Sequence, residues 1–81
     1  MKICFDAGHG GTDPGATGFG LLEKDITLAT VLKCREKLQA YQNVTVALTR
    51  DSDRTVSLKA RTDFANREKA DLLVSVHVKV S

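Results

Sequence analysis

The sequence predicts an α/β domain in which strands and helices alternate around a mainly parallel or mixed sheet. Three short runs are apolar or β-branched, and two longer stretches without glycine or proline lie between them. Both stretches carry apolar residues at helical spacing. The resulting order, β-α-β-α-β, is typical of βαβ units, in which helices cover a parallel sheet.

The first strand is predicted at residues 2–6, an apolar run that ends where glycines begin. Residues 7–20 hold all six glycines and the only proline, so this segment is predicted to be a loop. Loops longer than about 12 residues in compact domains are usually functional or disordered. We therefore expect the glycine loop to contribute to a site.

The first helix is predicted at residues 24–41, with Asn43 ending it in the left-handed conformation. The second strand is predicted at 44–49, which is rich in β-branched residues, and a polar turn at 50–54 follows it. The apolar face of the helix is predicted from six residues: Leu28, Val31, Leu32, Cys34, Leu38 and Tyr41.

The second helix is predicted from Leu58 to about Lys69, with Ser57 as its N-cap and Leu58, Thr62 and Ala65 in register. The third strand is predicted at residues 72–76 and is mostly apolar on both faces. A strand that is apolar on both faces needs other elements to cover both faces of its sheet. We expect an open edge here to associate with another molecule.

Composition excludes several classes of protein. The 81 residues are enough for one small domain, and 42% of them are hydrophobic, as in globular proteins. The net charge of +2 is too weak for a nucleic-acid-binding surface. No apolar run approaches the ~18 residues of a membrane span. The first six residues carry one positive charge and too few apolar residues for a signal peptide.

The cysteines, Cys4 and Cys34, are too few for a disulfide scaffold. Free cysteines are usually small buried hydrophobic residues, and we expect that role for both.

The candidate chemistry lies at the ends of strands. His9 follows the first strand, His77 follows the third, and Glu23 stands where the glycine loop meets the first helix. Ligands of open α/β sheets gather beyond the carboxyl ends of the strands, so these three side chains are expected at one edge. Two histidines and one glutamate form the ligand set of many catalytic zinc sites.

Each of these residues also has a simpler interpretation. A histidine after a strand is often only a polar strand end, and Glu23 is favoured in a first helical turn by the helix dipole. Asp6 is either a partner of a ligand imidazole or a loop-capping aspartate. Arg61 either belongs to a solvated face or turns towards the sheet edge and holds a substrate anion. The glycine loop lacks the Lys-Ser/Thr ending of a phosphate-binding loop, which argues against nucleotide binding.

Several motifs occur in order along nearly the whole chain: DAGHGG (6–11), DPGA (13–16), EKD (23–25), LTR (48–50), AN (65–66) and ADLLVSVH (70–77). In these motifs the chain resembles the zinc-dependent N-acetylmuramoyl-L-alanine amidases of the type-3 class. The resemblance implies that His9, Glu23 and His77 bind Zn²⁺. It also implies hydrolysis of the amide between N-acetylmuramic acid and L-alanine in peptidoglycan, in cell-wall lysis or remodelling by an autolysin or endolysin.

The chain departs from the family at its end. The family usually has a small-polar pair such as Ala-Asn after the second histidine ligand, where this sequence has Val78 and Lys79. The family's acid–base glutamate has no match here, so the resemblance implies that residues 1–81 are the amino-terminal part of one catalytic domain. A truncated, catalytically impaired wall-binding or regulatory fragment is the alternative.

Localisation is expected at the cell wall, in the extracellular or periplasmic space. Because no export signal is visible, the resemblance implies either release by lysis or a missing signal. We also expect zinc binding to be linked to folding, since His9 and His77 meet only when the first and third strands are side by side.

Overall fold

The computed structural model describes residues 1–78 and confirms the α/β fold. Residues 79–81, which include part of the departure from the family motif, lie outside the described residues. The elements in chain order are β1 (Lys2–Ala7), β2 (Thr17–Gly18), β3 (Leu21–Leu22), α1 (Glu23–Leu38), β4 (Thr45–Leu48), α2 (Leu58–Arg67) and β5 (Leu72–Val76).

The main sheet has the strand order β4-β1-β5, and both pairs of neighbours are parallel. Asp6 lies opposite Ser75 and Ala7 opposite Val76, so β1 and β5 end level with each other. The amide of Gly8 extends this pairing by donating to the carbonyl of Val76 over 3.0 Å. The residues that follow the two strands therefore start from the same edge.

The predicted glycine loop contains a small antiparallel hairpin formed by β2 and β3. Phe19 and Gly20 connect these strands with positive φ values of 52° and 74°. Two-residue hairpin turns of type I′ need positive φ at both positions. Single-sequence periodicity cannot detect strands of two residues.

Alternation along β1 divides its side chains between the two faces of the sheet. Phe5 and Ala7 form the buried core with Val31 of α1, and other residues of α1 and the sheet pack around them: Ile3, Leu28, Cys34, Leu38, Val46, Leu48 and Val76. Cys4 and Asp6 point to the opposite face and are also buried. The prediction of burial is confirmed for Cys4, whereas Cys34 is half-buried, and both are free thiols.

The end of α1 differs from the prediction. The helix stops at Leu38, Gln39 caps it in the right-handed region, and Tyr41 lies beyond it with 63% of its surface exposed. Asn43 does not have the positive φ expected of it. The inward face also includes Thr27 and Glu23, which are buried about one and two turns before Val31, respectively. A polar stripe therefore leads from the core to the start of the helix.

The start of α2 follows the prediction, because the Ser57 hydroxyl accepts a hydrogen bond from the amide of Ala60 at 3.1 Å. Its inward face differs from the prediction. Leu58 is 83% exposed, and the buried positions are Arg61 and Ala65. The helix meets the face of the sheet opposite α1 through Arg61, which contacts Asp6.

Strand β5 is an edge strand within the described part of the chain. It pairs with β1 on one side, and its apolar residues Leu72, Leu73 and Val74 are exposed. Among residues 1–78, no helix is both long and apolar enough to cross a membrane.

Candidate metal centre

Three side chains predicted to form a site converge at the carboxyl edge of the sheet. The Glu23 carboxylate oxygen Oε2 lies 3.1 Å from His9 Nε2 and 3.3 Å from His77 Nδ1. One ligand atom from each residue lies within 4.8 Å of the others. The two imidazole rings meet edge to face, with centroids 5.3 Å apart. The fold therefore brings together two residues separated by most of the chain.

The chemistry of these donors and the two separations that involve Glu23 fit a zinc ion. Tetrahedral coordination at the usual bond lengths puts neighbouring ligand atoms roughly 3.3 Å apart. Two glycines leave space for the rings: a Cβ at Gly8 would lie 2.5 Å from the His77 ring, and one at Gly15 would lie 2.6 Å from His9 Cδ2. The glycine loop thus has a steric role as well as a conformational one.

Asp13 orients His9. Its Oδ2 lies 2.8 Å from His9 Nδ1, and its Oδ1 accepts from the amide of Gly15. This pairing leaves Nε2 directed towards Glu23, which is the arrangement of a carboxylate–histidine pair at a metal site. The hydrogen bond to His9 and that from Gly15 lower the pKa of Asp13. His9 has a φ of 65°, which is unusual outside glycine and places its ring over the edge of the sheet.

Glu23 is held at both oxygens. Oε1 accepts from the amide of Ala16 at 2.9 Å, and Oε2 accepts from the amide of Val78 at 3.0 Å. These backbone hydrogen bonds lower the pKa of Glu23, and the one from Ala16 has the largest effect. Burial acts in the opposite direction. Glu23 is also the first residue of α1, so the helix-dipole interpretation and the ligand interpretation apply to the same carboxylate.

Of the two roles predicted for Asp6, that of an imidazole partner is not among its described hydrogen bonds. Asp6 is buried and accepts from Thr49 Oγ1, Arg61 Nη1 and Ser75 Oγ at 2.8, 2.6 and 3.0 Å. Among the described hydrogen bonds, Asp13 rather than Asp6 is the carboxylate that partners a site imidazole through Nδ1 of His9. Asp6 acts on the site indirectly, because Arg61 links it to the loop.

Arg61 does not lie on a solvated face, and it borders the cleft at the two histidines. Only 6% of it is exposed, and its guanidinium donates to Asp6 and to the carbonyls of Val56, Ala7 and His9. The expectation of a solvated arginine is wrong, whereas the role of an anion holder stays a prediction. The bond to the His9 carbonyl also fixes the backbone at His9.

The segment after β4 is predicted only as a polar turn at residues 50–54, but it forms hydrogen bonds with the glycine loop. Asp53 accepts from the amide of Gly11 and from Lys24 Nζ at 2.7 and 2.9 Å. Thr55 Oγ1 accepts from the amide of Thr12 at 3.0 Å. Arg50 in the same segment is almost fully buried. A dense run of charged residues is the only sequence signal for this role, and it equally indicates a solvated turn.

A cleft of about 380 Å³ opens beside the two histidines. Val56, Ser57 and Leu58 form part of its wall, together with the glycine loop. The exposed side chain of Leu58 gives the cleft an apolar surface within reach of the three converging residues. Such a cleft is suited to a partly apolar ligand held by a few polar groups.

The protein is thus an α/β protein with a parallel sheet. It has a candidate metal-hydrolase site at the carboxyl edge of that sheet, formed by His9, Glu23 and His77. The sequence profile of the N-acetylmuramoyl-L-alanine amidase family matches residues 3–81. The chain belongs to this family, and the resemblance predicted from its motifs is confirmed.

Individual relatives agree with this assignment. The chain is 52% identical over 79 residues to the N-acetylmuramoyl-L-alanine amidase CwlM of Bacillus licheniformis, covering 96% of this chain and 31% of that protein. It is 48% identical over 79 residues to the endolysin of Bacillus phage SPP1, covering 98% and 29% respectively. The chain thus spans about a third of the length of the curated relatives it matches.

A solved structure supports the fold directly. The catalytic domain of the amidase CwlV from Bacillus (Paenibacillus) polymyxa var. colistinus superposes with a TM-score of 0.95 at 38% identity. The match covers 99% of this chain and 46% of that one. The described fold is therefore similar to part of an amidase catalytic domain.

Proposed function

We propose that this chain contributes the zinc-binding part of a peptidoglycan hydrolase that cleaves the amide between N-acetylmuramic acid and L-alanine. The convergence of His9, Glu23 and His77 within 4.8 Å is the observation that carries the proposal. Membership of the amidase family supplies the substrate class. Residues 1–81 are proposed to be the amino-terminal part of a single catalytic domain, acting at the bacterial cell wall outside the cytoplasmic membrane.

The proposed cofactor is Zn²⁺ held by the two imidazoles and the carboxylate. When bound, zinc supplies Lewis-acid activation of water and of a substrate carbonyl. His9 presents Nε2 because Asp13 engages Nδ1, and Glu23 stays ionised because backbone amides hold both of its oxygens. Leu58 and Val56 provide an apolar wall beside these ligands for the bound substrate.

Proton transfer needs a further group. The family's acid–base glutamate has no match among the residues of this chain, and Glu23 is engaged by the amides of Ala16 and Val78. Positioned acid–base groups contribute about 10²–10⁴-fold to rate. We therefore expect the 81-residue chain to bind zinc without appreciable turnover.

The test measures zinc content and hydrolysis on the same preparation. The purified chain is expected to hold one zinc ion by mass spectrometry, and His9→Ala and His77→Ala are expected to lose it. Asn66→Ala changes an exposed residue of α2 and serves as the control. Hydrolysis of isolated sacculi is followed as newly exposed alanine amino groups, and a rate equal to that of a full-length amidase would contradict the acid–base assignment.

Binding to sacculi separates the remaining alternatives. A chain that sediments with sacculi but binds no zinc would favour a non-catalytic wall-binding or regulatory fragment. A chain that binds neither zinc nor sacculi would overturn the proposal.

A further inference from the structure

Arg50 is the largest fully buried side chain of the described residues, with only 1% of its surface exposed. Within residues 1–78 its guanidinium forms no ion pair with a carboxylate. A buried cation without a counter-ion is costly unless hydrogen bonds satisfy it. The contacts that replace a counter-ion therefore indicate what this residue does.

All of these contacts are to oxygen atoms of the chain. Nε donates to the Ala7 carbonyl at 3.2 Å, and Nη1 donates to the Ser52 carbonyl at 3.0 Å. Nη2 donates to the carbonyls of Gly8 and Lys24 at 3.1 and 2.9 Å and lies 3.2 Å from Thr27 Oγ1. One side chain thus joins the end of β1, the start of α1 and the turn after β4.

Two of these acceptors adjoin the candidate metal ligands. Gly8 directly precedes His9, and Lys24 directly follows Glu23. The same nitrogen, Nη2, contacts both carbonyls, so one guanidinium bridges the two backbone segments. A planar guanidinium holds several acceptors in fixed directions, which a lysine ammonium on a flexible stem does not.

Neighbouring residues reinforce this junction. The hydroxyl of Thr27, which is 0% exposed, donates to the Gly8 carbonyl at 2.8 Å. Gly10 folds over the arginine so closely that a Cβ there would lie 2.8 Å from Arg50 Nε. The glycine loop is therefore shaped around the arginine on one side and around the histidine rings on the other.

We infer that Arg50 is a positioning residue that sets the spacing between His9 and Glu23 in the candidate metal centre. This inference rests on the proposed function, because it concerns the same zinc ligands. Arg50 touches neither ligand side chain in the described contacts and acts through the carbonyls beside them.

The test is the zinc affinity of Arg50→Lys, which keeps the charge but cannot reach all of the carbonyls together. Groups that orient metal ligands typically contribute 10–100-fold in affinity, and we expect a loss of about that size. Affinity is measured by competition with a chromophoric chelator. The visible absorption of the Co²⁺-substituted chain is expected to change as well, because it reports ligand geometry.

Arg54→Lys is the matched control. Arg54 lies in the same turn, and its side chain donates to the Thr49 carbonyl rather than to a segment that carries a ligand. Its zinc affinity is expected to stay within twofold of the unsubstituted chain. Equal zinc affinity and an identical cobalt spectrum for Arg50→Lys would overturn the inference.

Thr27→Val provides a second test that does not depend on the stability of the arginine variant. It keeps the shape of the side chain and removes the hydroxyl that bonds Gly8 and Arg50. We expect a several-fold weaker zinc affinity with an unchanged far-ultraviolet circular dichroism spectrum, and unchanged affinity in a folded Thr27→Val would overturn the inference.

If the unsubstituted chain binds no zinc, the proposed function fails and the inference with it. If it binds zinc and the variants bind equally well, only the inference fails.

Discussion

Asp13 and His9 show how a single carboxylate orients an imidazole of the candidate metal centre. Asp13 is four residues after His9 in a loop that doubles back, and one oxygen reaches the imidazole while the other takes the Gly15 amide. The loop conformation and the ring orientation therefore depend on the same side chain. An uncharged residue of the same shape would keep the loop contact and weaken the imidazole contact.

Asp13→Asn is expected to lower zinc affinity by about 10–100-fold, because the partner that orients a ligand imidazole is lost. Chelator competition measures the change. Asp51→Asn, in the exposed turn after β4, removes the same charge and is the control. Equal affinities for the two variants would mean that Asp13 does not orient His9.

Asp6 shows the opposite arrangement, a carboxylate that serves stability. Burial acts to raise the pKa of Asp6, but the hydrogen bonds and charge of Arg61, with the hydroxyls of Thr49 and Ser75, hold it below its ordinary value. A group with a lowered folded-state pKa stabilises the fold above its unfolded pKa of about 3.9. That contribution is lost as the pH falls from about 4 through the folded-state pKa.

Asp6→Asn is expected to lower the free energy of unfolding at pH 7 by about 3 kcal/mol, since a buried guanidinium loses its charged partner. The variant is also expected to show a weaker dependence of stability on pH below about 4. Urea unfolding at several pH values measures both effects. A variant with an unchanged acid dependence would show that Asp6 does not titrate with folding.

At the scale of elements, α1 connects the core to the site. Its inward residues change from apolar to polar towards the N-terminus: Val31 packs in the core, Thr27 bonds the loop and Glu23 joins the histidines. These residues are four positions apart and share one face of the helix. A shift of α1 in the core would therefore move Glu23.

Strand β5 has an exposed apolar edge within the described residues. Its edge opposite β1 has no partner strand among residues 1–78, and Leu72, Leu73 and Val74 are 49%, 46% and 38% exposed. Unpaired apolar edges pair with other chains. We expect a second copy of the chain to pair along this strand.

Val74→Lys is expected to reduce that association, because a charged residue on an edge strand opposes pairing. Sedimentation velocity over a range of concentrations measures it. Ile26→Lys, which places the same charge on the exposed face of α1, is the control and should associate as the unsubstituted chain does. A monomeric unsubstituted chain at high concentration would refute the prediction.

At the scale of the whole molecule, zinc binding and folding are expected to be linked. His9 and His77 follow strands at the centre and edge of one sheet, so the three proposed ligands meet only in the folded chain. A ligand that binds only the folded state stabilises it by about 2.7 kcal/mol at a concentration 100 times its dissociation constant. Metal ligands must be deprotonated, so acid is expected to release the ion.

Removal of zinc by a chelator is therefore expected to lower the melting temperature of the chain. His9→Ala and His77→Ala should melt at a lower temperature and should no longer respond to the chelator. Thermal melts with and without EDTA measure both. A midpoint that is independent of the chelator and of both substitutions would exclude zinc-linked folding.

The order of the two helices and the three strands of the main sheet could be predicted from the sequence alone, because hydrophobic periodicity and N-caps such as Ser57 act over a few residues. The parallel arrangement then implied that His9 and His77 share an edge of the sheet. The end of α1 could not be placed. The exposure of Tyr41 and the absence of a positive φ at Asn43 depend on where the chain turns back to β4.

Only the tertiary structure decided the partners of the charged residues. Arg61 reaches His9 across 52 positions, and Arg50 reaches Gly8 across 42 and Lys24 across 26. The local sequence of an arginine is the same whether it lies in water or is buried among carbonyl groups, because those carbonyls belong to distant segments. The three candidate ligands could therefore be proposed from residue type and strand ends, whereas the network that positions them exists only once the sheet has assembled.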